Sequence, residues 1–416
     1  MSELANEPSA PSELTNEPSA PSELPSQQSR EGVVSPKGFR AAGVAAGIKA
    51  SGALDLALVV NDGPEAGAAG VFTRNKVKAA PVLWSQQVLT SGRLRAVVLN
   101  SGGANACTGP EGFQTAHATA EKAAELLGCG AVEVAVCSTG LIGKQLPRDV
   151  VLAGVEKATA GLDATAEAGL AAATAVMTTD TVAKQAAHVD PAAWSIGGFT
   201  KGAGMIAPSM ATMLTVLTTD AVLDPAELEP ALRAAVRVSF DRLDIDGSMS
   251  TNDTVLLLAS GASGVTPAPD EFDAALTSVC QDLARQMQAD AEGVTKRITV
   301  QVTGAADEDD AVTVARTVAR DSLVKTAIFG SDANWGRIAA AAGYADADVD
   351  PDRLDITING SLLCRGGVAA GGRTDANLSG PDVLVAIELG IGSGTAEIRT
   401  TDLSYAYVEE NSAYPS

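Results

Sequence analysis

Lys201–Leu217 reads KGAGMIAPSMATMLTVL, and the reading of this stretch decides the fold. Gly202, Gly204 and Pro208 predict a tightly bent approach, after which Thr212 to Leu217 reads as a buried β-strand. A flexible loop therefore meets a rigid strand at Ala211 and Thr212. A self-cleaving threonine enzyme needs that arrangement, because the strand fixes the hydroxyl while the bent loop can strain the preceding peptide toward attack. Once the Ala211–Thr212 bond is cut, Thr212 owns both its nucleophile and its base. A free α-amine, with a reference pKa of about 7.7 to 8.0, accepts the hydroxyl proton near neutral pH without any histidine. Taken alone, these residues favour the plainer reading that Thr212 simply opens a core strand.

Upstream, the apolar runs Leu56 to Val60, Ala79 to Trp84 and Ala96 to Leu99 read as strands, the second demoted toward an edge by Pro81. The third runs into Asn100, Ser101, Gly102, Gly103 and Ala104, a strand-to-loop edge where amides can face a ligand. A helix follows with Phe113, Ala116, Ala120, Ala123 and Leu127 on one face, and His117 beside that face reads as a core residue. Val132 to Val136 reads as a strand ending in Ser138, Thr139 and Gly140. Such a turn can aim amides or a hydroxyl at a developing oxyanion, or be an ordinary glycine turn. Helical patterns cover Pro147 to Gly161 and Ala164 to Met177, and Thr178 to Thr181 follow them. His188 falls in a polar connection before Pro191.

Downstream, Pro225 to Val238 is helical, Asp241 to Asp253 is an acid-rich loop, Leu256 to Leu258 is a buried strand, and a long amphipathic helix spans Asp270 to Asp290. Within the loop, DIDGSMSTND looks like a calcium loop but lacks the glutamate expected at its twelfth position. From Ile298 the pattern is strand, helix, short strand, helix, then several strands, with Asp307 to Asp310 starting the first helix at its positive dipole end. Gly390, Gly392 and Gly394 have strands on both sides and read as a tight β-turn, not a phosphate-holding loop.

With 416 residues, 46% of them hydrophobic, the chain can bury two substantial cores. Its 29 Lys and Arg against 51 Asp and Glu leave a formal charge of −22, which argues against nonspecific nucleic-acid or anionic-membrane binding. An anionic substrate would need a local cation to overcome that field. Cys107, Cys129, Cys137, Cys280 and Cys364 are scattered and lack a C-x-x-C pair, which points to a reduced, cytoplasmic protein without a zinc site. His117 and His188 are the only histidines, so a histidine-rich metal site is not expected. No apolar run suits a membrane span, and the N-terminus lacks a signal core. Residues 1–30 instead repeat SELANEPSAP and SELTNEPSAP, a Ser-, Pro- and Glu-rich composition that predicts a disordered tail.

Several phrases bear on the nucleophile: KGAGMIAPSMATML itself, NSGGANACTG at Asn100–Gly109, CSTGLIG at Cys137–Gly143, MTTDT at Met177–Thr181, DGSMSTNDTVLLLASG at Asp246–Gly261, DANWGRI at Asp332–Ile338 and the ending DLSYAYVEENSAYPS. Together they resemble the ornithine acetyltransferase family, threonine-nucleophile enzymes that move an acetyl group from N-acetylornithine to glutamate in arginine biosynthesis. The resemblance covers nearly all of the chain after residue 30. It implies cleavage between Ala211 and Thr212, Thr212 as nucleophile, Thr139 and Gly140 as the oxyanion hole, and Thr178, Lys201, Thr212, Glu292, Asn411 and Ser416 as substrate-binding residues. Physically, the Lys201 ammonium suits a carboxylate and Glu292 suits an ammonium. Gly103 departs from the pattern, standing where relatives often carry asparagine.

The expected fold is α/β: a large layered unit over residues 31–290 carrying the nucleophile, then a smaller α/β unit over 291–416. The resemblance makes the larger one an αββα core like that of the related aminopeptidases. It also implies a heterotetramer of two cleaved α and two β chains, and no cofactor or metal. It leaves open whether acetyl-CoA serves as a second acetyl donor. Two alternatives stand beside acetyl transfer: a related self-processed aminopeptidase or amidase that uses water as acceptor, and an unprocessed, noncatalytic homologue.

Overall fold

The computed structural model describes residues 32–207, 213–371 and 376–413. In chain order the first part comprises β1 (Phe39–Val44), β2 (Leu56–Asn61), β3 (Gly67–Phe72), α1 (Ala80–Val88), β4 (Ala96–Asn100), α2 (Gly109–Leu127), β5 (Val134–Ser138), α3 (Arg148–Ala160) and α4 (Ala166–Ala175). It continues with β6 (Lys184–Val189), β7 (Ser195–Lys201), β8 (Leu214–Thr219), α5 (Pro225–Arg237), β9 (Thr254–Ala259) and α6 (Pro269–Ala289). One sheet runs β1-β2-β4-β5 and a second runs β3-β9-β8-β7-β6.

Side-chain alternation shows how the two sheets stack. Leu214 and Val216 of β8, with Leu256 and Leu258 of β9, share a core with β2, β4 and β5. Their neighbours Leu217, Val255 and Leu257 point the other way, into a core with α5 and α6. A strand with side chains of both parities buried needs residues that are apolar or have their hydroxyls bonded: TVLLLA is nearly all apolar, and in LTVLTT the buried Thr215, Thr218 and Thr219 hydroxyls are hydrogen-bonded to Thr200 and to the carbonyls of Val33 and Ser195. Helices α2 and α3 pack on the other sheet, completing the αββα layering.

Strand β7 pairs antiparallel with β8, Lys201 opposite Leu214, and β8 pairs parallel with β9, Leu214 opposite Thr254. The strand read from Thr212 to Leu217 is thus seen over Leu214–Thr219. Ala211, Thr212 and Pro208 lie outside the described residues, as do the 1–30 repeat and Ser416.

The remaining elements are β10 (Arg297–Ala305), α7 (Glu308–Arg320), α8 (Ser322–Phe329), α9 (Trp335–Gly343), β11 (Asp355–Ile358), β12 (Ser361–Arg365), β13 (Val368–Ala369), β14 (Asp382–Glu388), β15 (Gly394–Thr401) and α10 (Tyr405–Ala413). Their strands form a sheet in the order β13-β12-β11-β14-β10-β15 over its own core with α7 to α9. The described residues make one compact unit, with Gln288 of α6 bonding the carbonyls of Ile298 (3.0 Å) and Thr400 (2.8 Å).

Several sequence expectations are corrected. Ala79–Trp84 is no strand: Pro81 sits in the first turn of α1, where its missing N–H costs nothing. His188 lies within β6, opposite Ile196, not in a connection. His117 is half-exposed on α2, tilted over Trp84 at a ring separation of 4.8 Å. The short strand expected after α7 is the helix α8, capped by Asp321. The strands expected on both sides of Gly390–Gly394 are present as β14 and β15; they flank β10 on opposite sides, so the connection wraps the end of β10, with the Ile391 amide donating to the Gly304 carbonyl at 2.8 Å.

Candidate active site

Lys201 is the last residue of β7 and is 1% exposed, although its side chain ends in an ammonium. Burial lowers its pKa, and Asp180, with its Oδ2 at 3.7 Å, pushes the other way by favouring the charged form. Its Nζ donates to the Thr178 hydroxyl at 2.8 Å and to the Thr139 hydroxyl at 3.4 Å. Three residues far apart in sequence thus meet at one point: Thr139 after β5, Thr178 after α4 and Lys201 at the end of β7.

The loop carrying Thr139 is locked against the end of β4. The Thr139 amide donates to the Asn100 carbonyl at 2.9 Å and its carbonyl accepts from Gly103 at 3.0 Å. Asn252 ties both loops to β9, its side-chain amide donating to Ala104 (2.6 Å) and Ser138 (2.7 Å). Because the Thr139 amide is committed, Thr139 can serve an oxyanion only through its hydroxyl. That oxygen accepts from Lys201, so its own hydrogen remains free to be aimed. Gly140 has φ +122°, and a Cβ there would stand 2.6 Å from the Gly103 nitrogen, so no other residue fits. At Gly103 a Cβ would meet only the tip of Leu146, at 2.7 Å.

Past Lys201 the chain bends sharply. Met205 has φ +55°, a costly conformation for a side chain of its kind. Asp246 holds it there, accepting from the Met205 amide at 2.7 Å and the Ile206 amide at 2.9 Å. Glu292 sits across this bend: its amide donates to the Ala203 carbonyl at 3.0 Å, and any Cβ at Gly204 would run into its carboxylate. Asn411 of α10 donates to Glu292 Oε2 at 2.9 Å. Glu292 also acts on Lys201 as a negative charge. The two groups of predicted site residues are therefore joined through the Lys201–Gly204 segment.

Sequence reasoning passed over the charge network behind Lys201. Asp180, fully buried in its side chain, accepts from Lys184 Nζ at 2.7 Å and from the Gly202 amide at 2.6 Å. Burial would raise the Asp180 pKa, but Lys201 and Lys184 outweigh it and hold the carboxyl well below the usual range. Lys184 reaches onward to Asp290, 2.5 Å away. It missed Asp253 as well, whose Oδ1 accepts from the Met213 amide at 3.1 Å. The available signal was the position of these acids, Asp180 two residues after Thr178 and Asp253 directly before a buried strand. The calcium-loop acids are already used: Asp244 pairs with Arg320 at 2.7 Å, and Asp246 holds the bend. Among the described residues no His, Cys, Asp or Glu group is placed to hold a metal.

The ArgJ family model matches residues 40–416. The chain is 64% identical over 391 residues to the arginine biosynthesis bifunctional protein ArgJ of Mycolicibacterium paratuberculosis, covering 93% of this chain and 97% of that protein. It is 63% identical to the protein of the same name from Mycobacterium tuberculosis, with the same coverage. Among solved structures, ornithine acetyltransferase complexed with ornithine from Mycobacterium tuberculosis is 64% identical, with a TM-score of 0.43 over 43% of this chain and 95% of that one. The arginine biosynthesis bifunctional protein argJ of Bacillus halodurans is 40% identical, with a TM-score of 0.45 over 47% of this chain and 97% of that one.

Proposed function

The chain belongs to the ArgJ family, and on that premise we propose that it transfers acetyl groups through a threonyl ester on Thr212. It is an acetyltransferase of arginine biosynthesis. In the proposed cycle the chain first cuts itself between Ala211 and Thr212. The Thr212 hydroxyl then attacks the acetyl carbonyl of N-acetylornithine, the free α-amine takes the proton, and ornithine departs. Glutamate attacks the acetyl ester in turn and leaves as N-acetylglutamate. Acetyl-CoA is the second donor in keeping with a bifunctional protein, and no cofactor takes part. The protein works in the cytoplasm as a heterotetramer of two cleaved α and two β chains.

The observation that carries this reading is the convergence of Thr139, Thr178 and Lys201 on one point at the end of β7. In the proposed cycle the Thr139 hydroxyl and the Gly140 amide stabilise the tetrahedral oxyanion. The Lys201 ammonium pairs with a substrate carboxylate, which answers the need for a local cation in a chain of net charge −22. Glu292, with Asn411 and Ser416, receives the substrate ammonium. The test is to supply N-acetylornithine with and without glutamate. Formation of N-acetylglutamate in excess of free acetate is expected, whereas acetate release alone would indicate a hydrolase.

A further inference from the structure

Lys49 lies in the connection between β1 and β2, and no part of the cycle above uses it. That connection is folded around one buried carboxylate. Asp55 Oδ1 accepts from the Ala46 amide at 2.6 Å, and its Oδ2 accepts from the Gly47, Ile48 and Lys49 amides at 3.1, 2.6 and 2.9 Å. These charge-assisted bonds fix where the Lys49 side chain starts. Its stem then runs past Gly102, where an added Cβ would stand 3.2 Å from Lys49 Cγ. The next residue, Gly103, donates its amide to the Thr139 carbonyl. The Lys49 ammonium ends at the turn after α4, donating to the Met177 carbonyl at 2.7 Å and to the Leu54 carbonyl at 3.1 Å.

Lys49 and Lys201 thus grip consecutive residues of one turn, Lys49 the Met177 carbonyl and Lys201 the Thr178 hydroxyl at 2.8 Å. Two ammonium groups so placed repel each other. Burial lowers the Lys49 pKa, Asp55 raises it, Lys201 lowers it as a like charge and Asp180 raises it. Both carboxylates are already engaged, Asp55 with four amides and Asp180 with Lys184 and the Gly202 amide. An ammonium has three hydrogens, and two on Lys49 have a partner among the described residues. The side chain is half-buried, which leaves the third hydrogen open to a ligand. In a chain of net charge −22, a second cation beside the first suits an anion that carries two charges.

We propose that Lys49 holds the side-chain carboxylate of the glutamate acceptor while Lys201 holds its α-carboxylate. This rests on the reading of the site as one that transfers acetyl groups to glutamate. Both substrates of that reading carry an α-carboxylate, but their side chains end in opposite charges. The ornithine ammonium is answered by Glu292, at the Gly204 bend. A glutamate side chain turned the same way would face that carboxylate and be repelled, so it needs a cation elsewhere. Lys49, at Met177, supplies one. One site thereby accepts side chains of opposite sign in successive half-reactions, and an acceptor with a single carboxylate gains nothing from Lys49.

Lys49→Met keeps the stem along Gly102 and removes the charge. Full-length wild type and variant are assayed in both half-reactions, with melting temperature read on the same samples: ornithine release from N-acetylornithine in a rapid-quench burst, and N-acetylglutamate formation against glutamate concentration. The expected result is a folded variant whose ornithine burst stays within about twofold of wild type and whose KM for glutamate rises about tenfold to a hundredfold, the loss of one charge-assisted hydrogen bond. A purely structural lysine would instead slow both half-reactions together. An unchanged KM for glutamate, or an equal loss in both half-reactions, would overturn the inference. The wild type supplies a check that needs no variant: glutamine, with a neutral amide in place of the side-chain carboxylate, should compete with glutamate about tenfold more weakly than glutamate itself binds, and equal binding would overturn the inference too. A wild type that releases acetate and forms no N-acetylglutamate would overturn the acetyl-transfer reading itself, and this inference with it.

Discussion

Asp180→Asn removes one negative charge from a site holding two buried ammonium groups. Lys184 and Lys201 are 0% and 1% exposed, and Asp180 approaches them at 2.7 and 3.7 Å. After the change Lys184 keeps Asp290 at 2.5 Å, but Lys201 loses its nearest carboxylate. Removing one partner of a buried ion pair costs about 3–5 kcal/mol. The asparagine oxygen can still accept from Lys184 and Gly202, so the expected loss is near the lower bound, about 3 kcal/mol. Lys201, already lowered by burial, then falls further, because the carboxylate that favours its charged form is gone. Denaturant unfolding should show the stability loss, and steady-state kinetics should show a raised KM for the substrate whose carboxylate Lys201 is proposed to hold. The pH dependence has a definite sign. Asp180 has a folded pKa below its unfolded value, so its contribution is fully present above the usual aspartate range near 3.9 and is lost as pH falls through the lower folded value. The gap between wild type and variant should therefore be widest at neutral pH and close on acidification. A variant as stable as wild type with an unchanged KM would refute the assignment of Asp180 as the counter-charge of this site.

Three further outcomes follow from the same geometry. Thr139→Ala should lower kcat by about a hundredfold to a thousandfold, the loss of one oxyanion donor, with little change in KM; unchanged turnover would leave only Gly140 in that role. Deleting Asn411 to Ser416 should change stability by only about 0.5 kcal/mol, since 411–413 are exposed, yet impair catalysis by releasing Glu292; equal loss of melting temperature and activity would make the segment structural. Asp253→Asn should melt higher than wild type at neutral pH. A carboxyl with a raised folded pKa loses stability to the unfolded chain as pH climbs above about 3.9, so the advantage should grow from there upward; a variant that melts lower at every pH would contradict it.

Most of the layered core was legible because β2, β4 and β9 are buried on both faces and so read as nearly unbroken apolar runs, while β8 mixes Leu and Val with strand-favouring Thr. The same rule misread APVLWS, since a short apolar run looks alike in a buried strand and in a helix packed under a sheet, and Pro81 is compatible with either end of an element. Strands β1 and β3, FRAAGV and GAAGVF, carry little strand propensity and exist because β2 and β9 pair with them. At the site, Thr139, Thr178 and Lys201 were singled out through resemblance, not spacing. The Asp180–Lys184–Asp290 network could not be seen that way: a fully buried lysine shows only where the fold closes a gap between residues 184 and 290.

Whether Thr212 carries the acetyl group can be read by mass spectrometry of the protein quenched during turnover of N-acetylornithine without glutamate. The chain beginning at Thr212 should gain the mass of one acetyl group, peptide mapping should put it on Thr212, and adding glutamate should remove it. A fully active preparation in which the chain is intact, or in which the 212–416 chain never gains an acetyl group, would contradict Thr212 as the carrier.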